Sequence, residues 1–347
     1  MVFIRTDANA KVATGHLMRC LSIAGQLEAL DESVTFIFRD QESEELLANR
    51  YHYQMLAGGS GLSVAGEVSQ IVDILKGAGA GAKLLLDSYD FDAVYMARLK
   101  PYAFLIMFDD LFAEKFPADL IINYNLYFKK YDYKTRYAGS GSKLLLGSRY
   151  VPLREEFLEQ SPRRSGQINK ILLICGGGDR YHILPELTER LCSRKVGRTF
   201  ELHVVAGGLS EDIEKLRQYE KQFPQVQVYQ NVKEMAELMG KADMAISAAS
   251  TVLYECCRMQ LPTVFFTMAD NQEDDVIAFT ETGLMEYAGD IRSDRVGTIA
   301  RVIGLAERLA EDAKRRDEMI ELMKHMVDGK GAWRIASEIR DGSCGSR

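Results

Sequence analysis

Eleven short apolar runs, each of strand length and several separated by helix-like segments, constrain this chain more than any other feature. In the first half they are Val2 to Thr6, Ser33 to Arg39, Lys83 to Ser88, Ala103 to Phe108, Ala118 to Asn123 and Lys143 to Leu146, with a helical pattern over Gly66 to Lys76. In the second half they are Lys170 to Cys175, Phe200 to Val205, Val226 to Tyr229, Asp243 to Ser247 and Pro262 to Phe266. Helical patterns there fall around 182–195, 210–222, 232–240 and 251–260. A run that is apolar at every position must be covered on both faces, which is the condition of a strand inside a parallel sheet with helices on either side. The expected class is therefore α/β, with two doubly wound, Rossmann-like domains. Glu159 to Asn169, polar and carrying Pro, Ser and Gly, is the natural linker. This predicts a first domain over 1–158, a linker over 159–169, a second domain over 170–340 and a disordered tail over 341–347.

Length and charge narrow the function. At 347 residues the chain exceeds a single typical core. Fifty acidic against 43 basic residues give a net charge of −7, which disfavours binding to a phosphate backbone, so nucleic acid is not an expected partner. The start MVFIRTDANAK lacks a basic region followed by a long apolar run, and no later segment approaches about 18 apolar residues in succession. A cytoplasmic protein without membrane insertion is expected. Six cysteines, Cys20, Cys175, Cys192, Cys256, Cys257 and Cys344, form no C-x-x-C pair and mostly fall within apolar patterns, as reduced buried thiols do. Oligomeric state leaves no trace in the sequence.

In open α/β sheets, ligands collect beyond the carboxyl ends of the strands. That rule selects Asp7, His16, Asp87-Ser88-Tyr89, Asp109-Asp110 and Asn123-Tyr124-Asn125 in the first half. In the second it selects Gly176-Gly177-Gly178-Asp179, Ala206-Gly207-Gly208, Ser247 to Thr251 and Asp270-Asn271-Gln272. His16 stands at the mouth of a helix, where unpaired backbone N–H groups suit a phosphate and keep an imidazole neutral. An isolated histidine in that place also serves simply to cap or pack the helix end. Gly15 allows close approach of a substrate, and Arg19 lies one turn along the same side.

Gly177 and Gly178 suit either an anion site or a tight strand-to-helix turn, and no Walker loop occurs anywhere. Ser250 can cap the following helix, while Thr251 and Glu255, four apart, share one of its faces. A carboxylate so placed can accept two hydrogen bonds from a ribose diol, and it can equally be an exposed glutamate on a capped helix. Asn271 and Gln272 add polar groups at the same sheet edge. No residue pattern has metal-ligand spacing.

Ile4 to Asp7 with Gly15 to Cys20, Asp87-Ser88-Tyr89, Phe108-Asp109-Asp110, Arg154 to Phe157, Gly176 to Asp179, Ser247 to Thr251, Asn271-Gln272 and Asp328 to Ala332 form an ordered series over nearly the whole chain. In this series the chain resembles the nucleotide-sugar hydrolases of pseudaminic acid biosynthesis and the related spore-coat polysaccharide proteins. The resemblance implies a GT-B architecture with the active site in a cleft between the domains. It also implies hydrolysis of UDP-2,4-diacetamido-2,4,6-trideoxy-β-L-altrose to UDP and free sugar, with inversion and with neither metal nor cofactor. By the same resemblance His16 is the base for water, Glu255 binds ribose, and Ser250 and Thr251 belong to a diphosphate-binding turn. Gly15, Arg19, Asp87, Tyr89, Asn271 and Gln272 then belong to the substrate site, with Gly177 and Gly178 on the nucleotide side. The chain departs from the family at Ser88, often histidine, and at Gly178, usually Ser or Thr. An inverting glycosyltransferase using a UDP-sugar on the same architecture is the alternative.

Overall fold

The computed structural model describes all residues except 9–14, 48–49, 80, 160–165, 177–178, 194–199, 209 and 344–347. The chain divides into two compact units, residues 1–154 with 330–347, and residues 155–329. The first contains a seven-stranded sheet of β1 (Val2–Thr6), β2 (Val34–Phe38), β3 (His52–Met55), β4 (Lys83–Asp87), β5 (Phe104–Phe108), β6 (Leu120–Asn123) and β7 (Lys143–Leu146). Its spatial order is β3-β2-β1-β4-β5-β6-β7, and every neighbouring pair is parallel. The second contains β8 (Lys170–Ile174), β9 (Glu201–Ala206), β10 (Val226–Gln230), β11 (Met244–Ala248), β12 (Thr263–Thr267) and β13 (Glu286–Asp290). They pair in the order β10-β9-β8-β11-β12-β13, again all parallel.

All eleven apolar runs form strands. The central ones are buried at every position, as in Leu84, Leu85 and Leu86 of β4, because helices cover both faces of the sheet. On one face the helices Val64–Ala78 and Ala93–Leu99 lay Val68, Ile71, Leu75, Tyr95, Met96 and Leu99 over Leu84, Leu86, Leu105 and Met107. Ser63 accepts a hydrogen bond from Gly66 N at the start of the first of these, and Asp92 accepts one from Tyr95 N at the start of the second. The Gly77 to Gly81 cluster lies where the first helix ends, with Gly79 at φ +80°. In both sheets the chain begins in the middle, works outward to one edge, then returns and works outward to the other. The reversal falls between β1 and β4 in the first unit and between β8 and β11 in the second.

Two strands, β3 and β13, escape a reading of apolar runs. They are edge strands with mixed exposure, so their sequences HYQM and EYAGD carry no continuous apolar signal. The domain boundaries also need correction. The final helix, Gly331–Asp341, belongs to the first unit, not to the second domain that sequence order suggests. It buries Gly331, Ala332, Ile335, Ala336 and Ile339, a stripe at helical spacing, and packs on the helix Gly15–Glu28. Lys83 Nζ donates to the Arg340 carbonyl at 2.6 Å, and Lys143 pairs with Glu338. The expected tail therefore starts within a helix at Asp341, and 344–347 lie outside the described residues. Of the expected linker, Glu159 closes the short helix Glu156–Glu159, and 160–165 are likewise not described.

Gly331 fixes how closely this helix docks. A Cβ there would stand 2.1 Å from the Val151 carbonyl oxygen, a backbone atom with no freedom to rotate away. Gly331→Ala should destabilise the first unit by about 1–3 kcal/mol, as overpacking does, seen as a lower urea midpoint for that unit.

Candidate active site at the strand ends

His16 is the second residue of the helix that follows β1, and Asp87 is the last residue of β4. These strands are neighbours in register, with Thr6 opposite Asp87, and they flank the reversal of strand order, the position at which doubly wound sheets bind ligands. The histidine Nδ1 lies 2.6 Å from Asp87 Oδ1. It also lies 3.1 Å from Arg19 Nη2, one turn along the helix. The shorter contact decides the tautomer. An ionised carboxylate only accepts, so Nδ1 must carry the proton and donate to Asp87, which leaves the lone pair on Nε2.

Asp87 is ionised with good reason. It is 1% exposed, and burial pushes its carboxyl up, but Arg19 and then His16 outweigh that and hold it well below the usual carboxylate range. Arg19 Nε donates to Oδ2 at 2.7 Å and Nη2 to Oδ1 at 2.5 Å, a two-point fork. Cys20 Sγ adds a weak donor at 3.3 Å. The other side of the guanidinium is occupied as well. Nη1 donates to Asp110 Oδ2 at 2.8 Å and to Tyr124 Oη at 3.1 Å, and the plane lies over the Phe108 ring, 4.2 Å from its centre. Asp110 Oδ1 in turn accepts from Asn125 Nδ2 at 3.0 Å. Burial works against the charge on Arg19, yet Asp110 and Asp87 hold its pKa well above the usual guanidinium value.

Tyr89, beyond β4, presents its ring to His16 edge to face, with centres 4.8 Å apart, while remaining half exposed. Gly15 lies at the helix start with no atom within 4 Å of where a Cβ would be, so that face has room. Arg19 and Asp87, expected among substrate groups, are instead 6% and 1% exposed and spend their polar atoms on each other and on His16. The neighbouring Asp109 is buried too. Burial pushes its carboxyl up to about 6 against the hydrogen bond from Phe112 N.

In the second unit the reversal lies between β8 and β11. Gly176, at φ +75°, follows β8 so closely to the loop after β11 that a Cβ on it would lie 3.9 Å from Ser250 Oγ. Ser250 Oγ accepts from Val252 N at 3.2 Å at the start of the helix Val252–Arg258, so it does act on the helix end. Thr251 precedes that helix and Glu255 sits in its first turn, both partly buried. Asp179 Oδ2 accepts from Leu184 N at 2.6 Å, capping the next helix, Ile183–Cys192. Gly177 and Gly178 lie outside the described residues, and the side chain of Asn271 is likewise not described.

Gln272 has a role that its sequence position did not suggest. Its Oε1 accepts from Met268 N at 2.7 Å and Ala269 N at 3.1 Å, while Nε2 donates to the Ala249 carbonyl at 2.5 Å. It ties the loop after β12 to the loop after β11. Arg180 reinforces this by donating to the Met268 carbonyl at 3.0 Å. Asp110, Tyr124 and Asn125 were selected by their positions after β5 and β6, but nothing in the spacing assigns them to Arg19. No group of three or more His, Cys, Asp and Glu among the described residues is placed to hold a metal ion, and none of the described helices is long and apolar enough to cross a membrane.

Comparison with known proteins adds a family context. Residues 153–319 match the Glycosyltransferase family 28 C-terminal domain. The Bacillus subtilis protein named Spore coat polysaccharide biosynthesis protein SpsG is 23% identical, with 98% of each chain aligned. The Campylobacter jejuni UDP-2,4-diacetamido-2,4,6-trideoxy-beta-L-altropyranose hydrolase is 20% identical over 82% of this chain and 98% of its own. An uncharacterized Methanocaldococcus jannaschii protein, MJ1062, is 22% identical over 79% of this chain, which spans only 57% of that relative's length. Among solved structures, Acinetobacter baumannii MurG superposes with a TM-score of 0.71 over 98% of this chain and 99% of its own, at 13% identity. The glycosyltransferase WaaG does so with a TM-score of 0.54 over 99% and 100%, at 14% identity. The chain is thus a GT-B type α/β protein whose residues 153–319 match the Glycosyltransferase family 28 C-terminal domain and which is similar to the hydrolase and SpsG relatives its motifs resemble.

Proposed function

We propose that the protein hydrolyses a UDP-linked diacetamido-trideoxy sugar, with water attacking the anomeric carbon. The observation that carries this reading is the 2.6 Å contact between His16 Nδ1 and Asp87, which leaves Nε2 as the basic nitrogen at the strand-order reversal. Nε2 takes a proton from the attacking water as its oxygen bonds to the anomeric carbon. The bond from that carbon to the diphosphate oxygen breaks, and its electron pair leaves with UDP. The configuration inverts. Asp87 stays ionised throughout and stabilises the imidazolium that forms, while the proton on Nε2 later returns to solvent.

In this reading the second unit binds the nucleotide. Ser250 and Thr251, with Gly177 and Gly178, receive the diphosphate, and Glu255 takes the ribose hydroxyls. Gly15, Tyr89, Asn271 and Gln272 belong to the sugar side, Gln272 by shaping the loop. The relatives' names support the substrate class. The family 28 domain and the glycosyltransferase neighbours support a second reading, transfer of the sugar from the same donor to a hydroxyl acceptor with His16 again as base.

Acceptor-free incubation separates the two. The protein should release UDP and free sugar from the UDP-linked diacetamido-trideoxy-altrose, and absence of release would remove the hydrolase reading. In heavy-oxygen water the label should enter the sugar and not UDP, as read by mass spectrometry. His16→Ala should lower kcat on the order of 10²-fold or more while UDP affinity stays within about twofold.

A further inference from the structure

The group paired with His16 is not a lone carboxylate but the end of a buried chain of charges. Asp87, Arg19 and Asp110 are 1%, 6% and 5% exposed and follow one another at 2.5 to 2.8 Å. Had Arg19 only Asp87 as partner, the two would form a neutral pair, with the carboxylate 2.6 Å and the guanidinium 3.1 Å from His16 Nδ1. In such a pair the guanidinium cancels most of the attraction that Asp87 exerts on a charged imidazole ring. Asp110 changes the balance. With it the buried set carries one net negative charge, and a protonated ring brings the set to neutrality. Of the remaining groups facing this set, Asp109 alone brings a charge, and it has its own counter-charge. Cys20 and Tyr124 are buried and stay protonated, because burial pushes both the thiol and the phenol up. Asn125 and the Tyr89 ring are neutral donors or edges. Asp109, next in sequence, is pushed up to about 6 by burial and so is largely ionised near neutral pH; it accepts from the Phe112 amide and faces Arg136, whose positive charge offsets its own.

We propose that Asp110 is a positioning residue for His16, acting through Arg19 and Asp87. Its charge offsets that of the guanidinium so that the ring can accept a proton. Its 2.8 Å bond to Nη1 holds the opposite edge of the guanidinium in the orientation that points Nε and Nη2 at Asp87. Because the guanidinium is a rigid planar fork, fixing one edge fixes the other. Asp87 is thereby aimed at Nδ1. The inference rests on the reading of His16 as base, but its first test does not require turnover.

The test uses Asp110→Asn, which removes the charge and keeps an oxygen able to accept from Arg19. In substrate-free protein labelled with ¹⁵N-histidine, with the His16 resonances assigned from a His16→Gln sample, the ring should titrate about 0.5–1 pH unit lower than in the wild type. The population with the proton on Nδ1 should fall in the same sample. In turnover, kcat should drop about tenfold with KM within about twofold, and the acid limb of the pH profile should move the same way as the ring titration. Asp110→Glu should return part of both effects, and Arg19→Met should shift the titration in the opposite direction. A fall in kcat with the ring titration and acid limb unmoved would overturn the proposal in favour of a merely structural Asp110, as would unchanged kcat. A rise in KM alone would overturn it by placing Asp110 against substrate. If the wild type releases no UDP, or His16→Ala keeps its turnover, the hydrolase reading fails, and the ring titration still decides the role of Asp110.

Discussion

The buried fork between Arg19 and Asp87 is the interaction on which the site in the first unit depends. Taking two ions out of water costs several kcal/mol each, so such a pair survives only where geometry is good and the remaining donors are satisfied. Both conditions hold. Nε and Nη2 meet both carboxylate oxygens, Nη1 meets Asp110 and Tyr124, and Phe108 offers its face to the guanidinium plane. The consequence is architectural as well as chemical. Arg19 comes from the helix after β1, Asp87 from the end of β4, Asp110 from beyond β5 and Tyr124 from beyond β6. One guanidinium therefore gathers residues from four consecutive positions along the sheet's carboxyl edge, and the orientation of His16 follows from that gathering.

The sheet topology explains why the charges meet there. In each unit the strand order reverses once, and in doubly wound sheets the helices following the strands on either side of such a reversal run on opposite faces. A gap between the diverging helices is the general consequence of such a reversal. In the first unit the gap is filled by charge, with His16 at its edge. In the second it is filled by small residues and backbone, with Gly176 against Ser250 and the two loops tied by Gln272. The same topology thus carries a titratable cluster in one unit and small residues with backbone ties in the other, because only the residues after the strands differ.

Much of this was legible in the sequence, and the parts that were not have physical reasons. Strands covered on both faces must be apolar throughout, so β4 and β5 announce themselves, whereas the edge strands β3 and β13 have an unpaired side and keep polar residues. The docking of Gly331–Asp341 against the first unit depends on Gly331 meeting the Val151 carbonyl, a contact between distant segments that no local pattern encodes. His16, Arg19 and Asp87 could be selected by their place at strand ends. That Arg19 and Asp87 serve each other before any ligand depends on register between β1 and β4, which periodicity does not reveal. Gln272 illustrates the same limit, since its amide could as well have faced a ligand as the three backbone groups it holds.

A histidine backed by a carboxylate can remove a proton from any hydroxyl presented to it, and water and a sugar hydroxyl make the same demand on Nε2. The dyad therefore does not by itself distinguish hydrolysis from transfer. What it does determine is how readily the ring takes on charge, and that depends on the sum of charges buried behind it. Asp87 alone would supply one negative charge, Arg19 cancels it, and Asp110 restores it. A carboxylate two contacts removed from the imidazole thus bears on its basicity, less strongly than the one that touches it, because its charge offsets the guanidinium that would otherwise cancel Asp87.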